Sequence, residues 1–343
     1  MEIELKNIGM INEANVKIDG LTVIAGENDT GKSTVGKAIF LILNSMAVEK
    51  AINNSTDIVN LGRLNLFGEK IKKNIFSETS FSKSSSLKLH FNSKIFEYND
   101  KLCLDNISKK DIKIANTIYI ETPLVWNLQK LFRTCSDAES YLKNVGHEID
   151  IPYPFLLRDL YFMLSTKQKN EEEQFLDFAN KIENVINGKF IQDENGIFKF
   201  QRDDSKFDLL DTATGIKYFG ILQTLFDNNR LNSYSFLILD EPEVHLHPKW
   251  QLELAKIIIE LVKGGVKVLV NSHSPYMIEA LKRYSELEKL EKKSNFYLAE
   301  NGYIKQINNS NSETLSEIFE KLSEPFDTFD EMDSQNMEKL ING

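Results

Sequence analysis

Cysteine is nearly absent from this chain. Two thiols in 343 residues, Cys103 and Cys135, stand far from any CxxC spacing, which excludes a disulfide framework and a thiolate metal site and leaves them as free, structural thiols. No run of 18 or more apolar residues occurs, so no membrane-spanning helix is expected. The N-terminus "MEIELKNIGM" lacks the basic start and apolar block of a signal peptide, and the expected location is cytoplasmic. Sustained heptads and internal repeats are also missing, which argues against a long coiled coil or a solenoid. What is abundant is core: 41% of residues are hydrophobic, enough to fill one large α/β domain or two small ones.

Charge is unevenly spread. The net charge is -10, and residues 311–343 hold nine acids against Lys321 and Lys339, so this acidic C-terminal tail supplies -7 of it. Residues 61–113 run the other way, with eleven Lys or Arg against six acids. Such a patch is either a solvated lysine-rich lobe or a face for nucleic acid.

The pattern opens as strand, loop and helix. "EIELKNI" and "NVKIDG" read as antiparallel strands, and "LTVIA" as a buried one. "KSTVGKAIFLILNSM" then places apolar residues at helical spacing. Residues 51–114 turn polar and basic with hairpin-like alternation, while residues 125–204 are mainly helix-like and end in the hairpin "IQDENGIFKF". Alternation of strand and helix returns with "SYSFLILDE", "PKWQLELAKIIIELVKG", "VKVLVNSH" and "SPYMIEALKRY". "NFYLAENGYIKQI" reads as a hairpin with a type I′ turn at Asn301-Gly302. The expected organisation is a discontinuous nucleotide-binding head from residues 1–50, 115–124 and 205–310, interrupted by a β-rich insertion at 51–114 and a helical lobe at 125–204.

Between "LTVIA" and the helix lies "GENDTGKST": Gly26, Glu27, Asn28, Asp29, Thr30, Gly31, Lys32, Ser33 and Thr34. It meets G-x-x-x-x-G-K-[ST] at every fixed position. Gly26 and Gly31 let the backbone curl so that its N–H groups face phosphate oxygens, and the helix starting near Lys32 points its positive end at the same place. Lys32 supplies a cation for the β- and γ-phosphates, and the Ser33 hydroxyl can join a Mg²⁺ shell. ATP and Mg²⁺ are the cofactors this implies. "FLILDE" supplies the matching acids: a buried strand delivers Asp240 to hold the metal, and Glu241 follows as the base that orients water. After "VKVLV", His273 of "NSHSP" stands where an imidazole can bond a γ-phosphate or its attacking water.

Together "GENDTGKST", "FLILDEPEVHLHP" and "VNSHSP" resemble the ABC-type ATPase heads of the soluble branch that includes SMC and RecF proteins, and most closely the OLD-like ATPases found in phage defence. The resemblance covers roughly residues 1–45, 117–123 and 205–285. It implies an α/β P-loop NTPase fold of ABC-ATPase type, with a mixed central sheet, antiparallel N-terminal strands and an inserted helical lobe. It also implies a homodimer that sandwiches ATP between heads, or a larger assembly built on that dimer. The P-loop of one copy then faces a signature helix of the other, here "DTATGIKYFG", where Thr212, Thr214 and Gly215 would contact the partner's nucleotide. Ala213 stands where the family carries a phosphate-contacting Ser, which argues for slow turnover. Glu121 or Thr122 occupies the place of the family's glutamine. His245 and His247 read as part of a dimer-facing loop and not as a zinc pair. OLD-like enzymes often carry a C-terminal nuclease domain for which this chain has no room, so a separate nuclease or toxin is the expected effector. The alternatives are a RecF- or SMC-like DNA maintenance ATPase and a nucleotide-stabilised scaffold without turnover.

Overall fold

The computed structural model describes residues 1–52, 71–91, 94–99, 101–103, 114, 116–146, 154–168 and 177–342. Much of the basic stretch 61–113 falls outside them, and so does the side chain of Cys103. Cys135 is a free thiol.

Strands β1 (Glu2–Ile8) and β2 (Ile11–Lys17) pair antiparallel, each burying its alternate apolar residues, and β3 (Leu21–Ala25) is buried along its whole length. The polar segment that follows contributes β4 (Phe81–Phe91), β5 (Lys94–Asn99) and β6 (Lys101–Cys103). Because β4 pairs with β1, these strands extend the main sheet instead of forming a sheet of their own. Next come β7 (Asn116–Ile120), then β8 (Lys189–Gln192), β9 (Phe198–Arg202) and β10 (Ser205–Asp208), which make a separate three-stranded sheet. The chain returns to the main sheet with β11 (Ser235–Asp240), β12 (Lys267–Ser272), β13 (Ser294–Glu300) and β14 (Tyr303–Lys305).

The main sheet has eleven strands in the order β6-β5-β4-β1-β2-β14-β13-β3-β12-β11-β7. Strands β13, β3, β12, β11 and β7 run parallel, and the N-terminal strands antiparallel. This is a mixed α/β sheet, and its N-terminal strands are antiparallel as expected. Asn301 and Gly302 both take positive φ, 50° and 79°, in the tight turn joining β13 to β14, as a type I′ turn requires.

Side chains alternate across the parallel strands, and that alternation decides what reaches the site. Leu237, Leu239, Val268, Val270, Ile118 and Ile120 face one core, whereas Phe236, Ile238, Leu269, Ile24 and Tyr119 face the other, beneath the helix Lys32–Ile52. By the same two-residue period Asp240 and Asn271 fall on the side of Ile238 and Leu269. Helices Gln129–Asn144, Phe155–Ser165 and Phe178–Ile186 place Phe132, Leu160, Leu164 and Ile182 in the core that holds Leu237 and Leu239. Phe178 stacks on Phe226 of the helix Thr214–Asp227 at 4.9 Å between ring centroids. The described residues of the helical segment therefore share the head's core.

The acidic segment from residue 311 is a helix, Asn311–Asn342, whose Leu315 and Ile318 are buried. Lys321 anchors it to the sheet, its Nζ lying 2.6 Å from the Glu300 carboxylate at the end of β13. Among the described residues no helix is long and apolar enough to cross a membrane.

Candidate functional site

Four parallel strands, β3, β12, β11 and β7, end along one edge of the sheet, the place where ligands bind in open α/β folds. There β3 runs into the loop Gly26–Gly31 and then the helix from Lys32. The two glycines answer to space as much as to conformation. A Cβ at Gly26 would lie 2.2 Å from the Ala299 carbonyl oxygen, and one at Gly31, whose φ is 91°, would lie 2.8 Å from the Ile11 side chain. Thr30 closes the loop by donating to the Glu27 carbonyl at 2.9 Å.

Lys32 is 4% exposed. Its ammonium donates to the carbonyls of Gly26 (2.9 Å) and Glu27 (2.6 Å), and it lies 3.8 Å from Glu241 Oε1. Burial lowers its pKa, with Glu241 and then Asp240 acting in the opposite sense. The charge is thus held inside the loop that would receive phosphate.

Asp240 is buried and accepts three side-chain hydrogen bonds. Oδ1 accepts from the Ser33 hydroxyl at 3.0 Å and from Asn271 Nδ2 at 2.8 Å, and Oδ2 accepts from the Tyr119 hydroxyl at 2.6 Å. The register explains the meeting: Asp240 pairs with Asn271 across β11 and β12, and Tyr119 sits on the other neighbour of β11, opposite Ile238. Burial first and Asp240 second push the Tyr119 phenol well above its usual range, so it stays a donor. A carboxylate and a hydroxyl 3.0 Å apart are two hard oxygen donors, which suits Mg²⁺, a cation that takes one or two protein ligands and completes its shell with phosphate and water. Ser33 and Asp240 would hold that ion, which when bound would supply Lewis-acid polarisation of phosphate oxygens.

Glu241 has a φ of 50°, left-handed for a residue with a side chain, at a cost of about 1–2 kcal/mol. Its N–H donates to the Asn271 carbonyl at 2.9 Å, which holds the turn. The strained turn brings Glu241 Oε1 within 3.6 Å of His273 Nδ1. Ser33, Glu121, Thr122, Tyr218, Asp240, Glu241 and His245 line one cleft of about 330 Å³. A second cleft, of about 250 Å³, runs from Gly26, Glu27 and Thr30 to Ile318 and Lys321 of the last helix.

The structure therefore gathers Lys32, Ser33, Asp240, Glu241 and His273, as the motifs led one to expect, and puts both Glu121 and Thr122 at the cleft wall. Thr212, Thr214 and Gly215 line neither cleft. Thr212 is buried and donates to the Asp208 carbonyl, while Ala213 caps the helix Thr214–Asp227 without a side-chain bond. His247 accepts from the Lys249 N–H at 3.3 Å and so caps the helix Pro248–Lys263.

Sequence reading missed Tyr119, Asn271 and Glu243. The available signal was weak: Asn271 and Glu243 are polar residues inside buried motif segments, and Tyr119 resembles any core aromatic. Tyr119→Phe should leave the fold intact and lower the rate of ATP hydrolysis by about tenfold or more, the usual scale for loss of a bond behind a metal ligand. The Mg²⁺ concentration for half-maximal rate should rise as well, read from a magnesium titration at saturating ATP.

Residues 156–278 match the family model of the AAA ATPase domain. That match takes in Asp240, Glu241 and His273 and covers less than half of the chain. The Septu protein PtuA of Bacillus thuringiensis is 22% identical over 320 residues, which span 81% of this chain and 72% of that protein. Among solved structures, an SMC head bound to the C-terminal winged-helix domain of ScpA is similar at TM-score 0.47 and 14% identity, covering 89% of this chain and 96% of that one. The SMC head domain of Thermotoga maritima is similar at TM-score 0.43 and 13% identity, covering 89% and 98%.

Proposed function

We propose that this protein binds ATP with Mg²⁺ and hydrolyses it, and that two copies close over the nucleotide as a switch or scaffold for a separate effector protein, a nuclease or toxin, in a phage-defence setting. The observation that carries the reading is one edge of the sheet holding a caged cation, a thrice-bonded carboxylate beside a serine hydroxyl, and a strained Glu241 facing His273. Lys32 moves from the loop carbonyls to the β- and γ-phosphates. Ser33 and Asp240 hold the metal. Glu241 orients a water molecule in line with the γ-phosphorus and accepts its proton; as the water oxygen bonds to phosphorus, the bond to the bridging oxygen breaks, ADP departs with that electron pair, and inorganic phosphate is left. His273 bonds the γ-phosphate through its imidazole.

Thr212, Thr214 and Gly215 line neither cleft of their own chain, which fits contact with the nucleotide of a second copy. Exposed Val244 in the "DEPEVHLHP" loop suits the same face. Closure then follows from differential affinity, since ATP touches both copies in the closed state and one in the open state. The likeness to PtuA supports the defence setting.

The test combines phosphate release with mass photometry of the purified chain in ATP and Mg²⁺, alone and with proteins recovered by pull-down of the natively expressed chain. Turnover together with a doubling of mass in ATP, reversed in ADP, is the expected result. A chain that stays single and releases no phosphate even with its recovered partners overturns the proposal.

A further inference from the structure

Glu243 is a carboxylate 4% exposed, two residues beyond Glu241. Burying an ionised carboxylate without partners costs several kcal/mol, yet its bonds are distributed unevenly. Oε1 accepts from the Ser272 hydroxyl (2.7 Å), the His273 N–H (2.8 Å) and the Ser274 N–H (3.2 Å), while Oε2 is buried with no partner among the described residues. All three bonds go to the segment that carries His273, two of them to its own amide and the next. The ring is reached too, with His273 Nδ1 3.6 Å from the same Oε1.

Capping the following helix does not explain this acid. Ser274 already caps the helix Pro275–Leu287, its hydroxyl accepting from the Met277 N–H at 3.4 Å and donating to Gln251 Oε1 at 2.7 Å. A neutral serine cap performs that role without burying charge. What Glu243 adds is a grip on the backbone at His273, exerted from the loop that begins with Glu241. Through Glu243 the β11 end and the β12 end share one carboxylate oxygen, so the separation of Glu241 and His273 is set by a short chain of bonds and not by a free loop.

We propose that Glu243 is a positioning residue for His273, holding that side chain at the distance from Glu241 that the γ-phosphate requires. The proposal rests on the reading that His273 acts at the γ-phosphate, and its test separates the two. Amide hydrogen exchange at His273 and Ser274 is measured in the nucleotide-free protein, and steady-state hydrolysis with ATP and Mg²⁺, for wild type, Glu243→Ala and Glu243→Gln. Glu243→Ala should lose protection at those two amides, with kcat lowered about tenfold or more, the scale for loss of an orienting partner, and KM for ATP changed less than threefold. Glu243→Gln keeps an oxygen acceptor and should recover both protection and most of kcat. Should Glu243→Ala fail to fold, Glu243→Asp retracts the oxygen by one methylene and carries the same expectation.

Wild-type protection at both amides in the alanine variant, or wild-type kcat, overturns the proposal. So does a glutamine variant as slow as the alanine one, because charge and not position would then be what matters. If wild type hydrolyses no ATP, the reading of His273 falls; loss of amide protection in Glu243→Ala would then keep the positioning contact, and its retention would end that as well.

Discussion

Glu241→Gln should lower kcat for ATP hydrolysis by about 10²–10⁴-fold, the range for removing a positioned general base, while ATP still binds. Glutamine keeps the size of the side chain and an oxygen that can accept from water, but it cannot take a proton. The acids beside it in sequence do not replace it: Asp240 is committed to three donors, and Glu243 is tied to the Ser272–Ser274 segment. The amide also removes the negative charge 3.8 Å from Lys32, which frees the ammonium for phosphate and favours the bound state. Single-turnover phosphate release and ATP titration measure the two effects, and mass photometry should find the variant accumulating as the closed pair. A scaffold without turnover would behave differently, with Glu241→Gln and wild type assembling and dissociating alike; that result would remove the catalytic reading and leave the nucleotide site.

The motifs that carry this chemistry were legible because each is local. "LTVIA" followed by "GENDTGKST" specifies a buried strand, a tight phosphate loop and a helix within a few residues, and "FLILDE" specifies a buried strand with an acid at its end. What stayed hidden depends on pairing between distant segments. Tyr119 reads as a core aromatic until β7 lies beside β11, and only then does its hydroxyl find Asp240, 121 residues along the chain. Likewise, the alternation of "LKLHF" announces a strand but not that it will pair with β1, so a segment read as an insertion extends the main sheet. Charge concealed the last helix. Its acids suggest a tail, whereas Leu315 and Ile318, three positions apart, form the buried face that docks it. Thr212, Thr214 and Gly215 are legible as a motif, but they line neither cleft of their own chain.

Lys32→Ala should strongly weaken ATP binding where Glu241→Gln preserves it, and the contrast isolates the cradle from the chemistry. The ammonium is buried and held by two carbonyls in the loop, so the site already bears the cost of desolvating it before nucleotide arrives. When phosphate enters, bonds to neutral carbonyls are exchanged for bonds to anionic phosphate oxygens, each worth about 1.5–3 kcal/mol. Losing two of them lowers affinity by about 10²–10⁴-fold at 1.4 kcal/mol per tenfold, seen by calorimetric titration with ATP and Mg²⁺. The thermal shift that ligand linkage confers on wild type should vanish too. Without nucleotide the variant should melt close to wild type: the carbonyls of Gly26 and Glu27 lose a donor, but Glu27 is exposed and water can reach the loop. Near-wild-type affinity in Lys32→Ala would mean that the loop binds phosphate through its backbone alone, and the role given to the caged ammonium would be wrong.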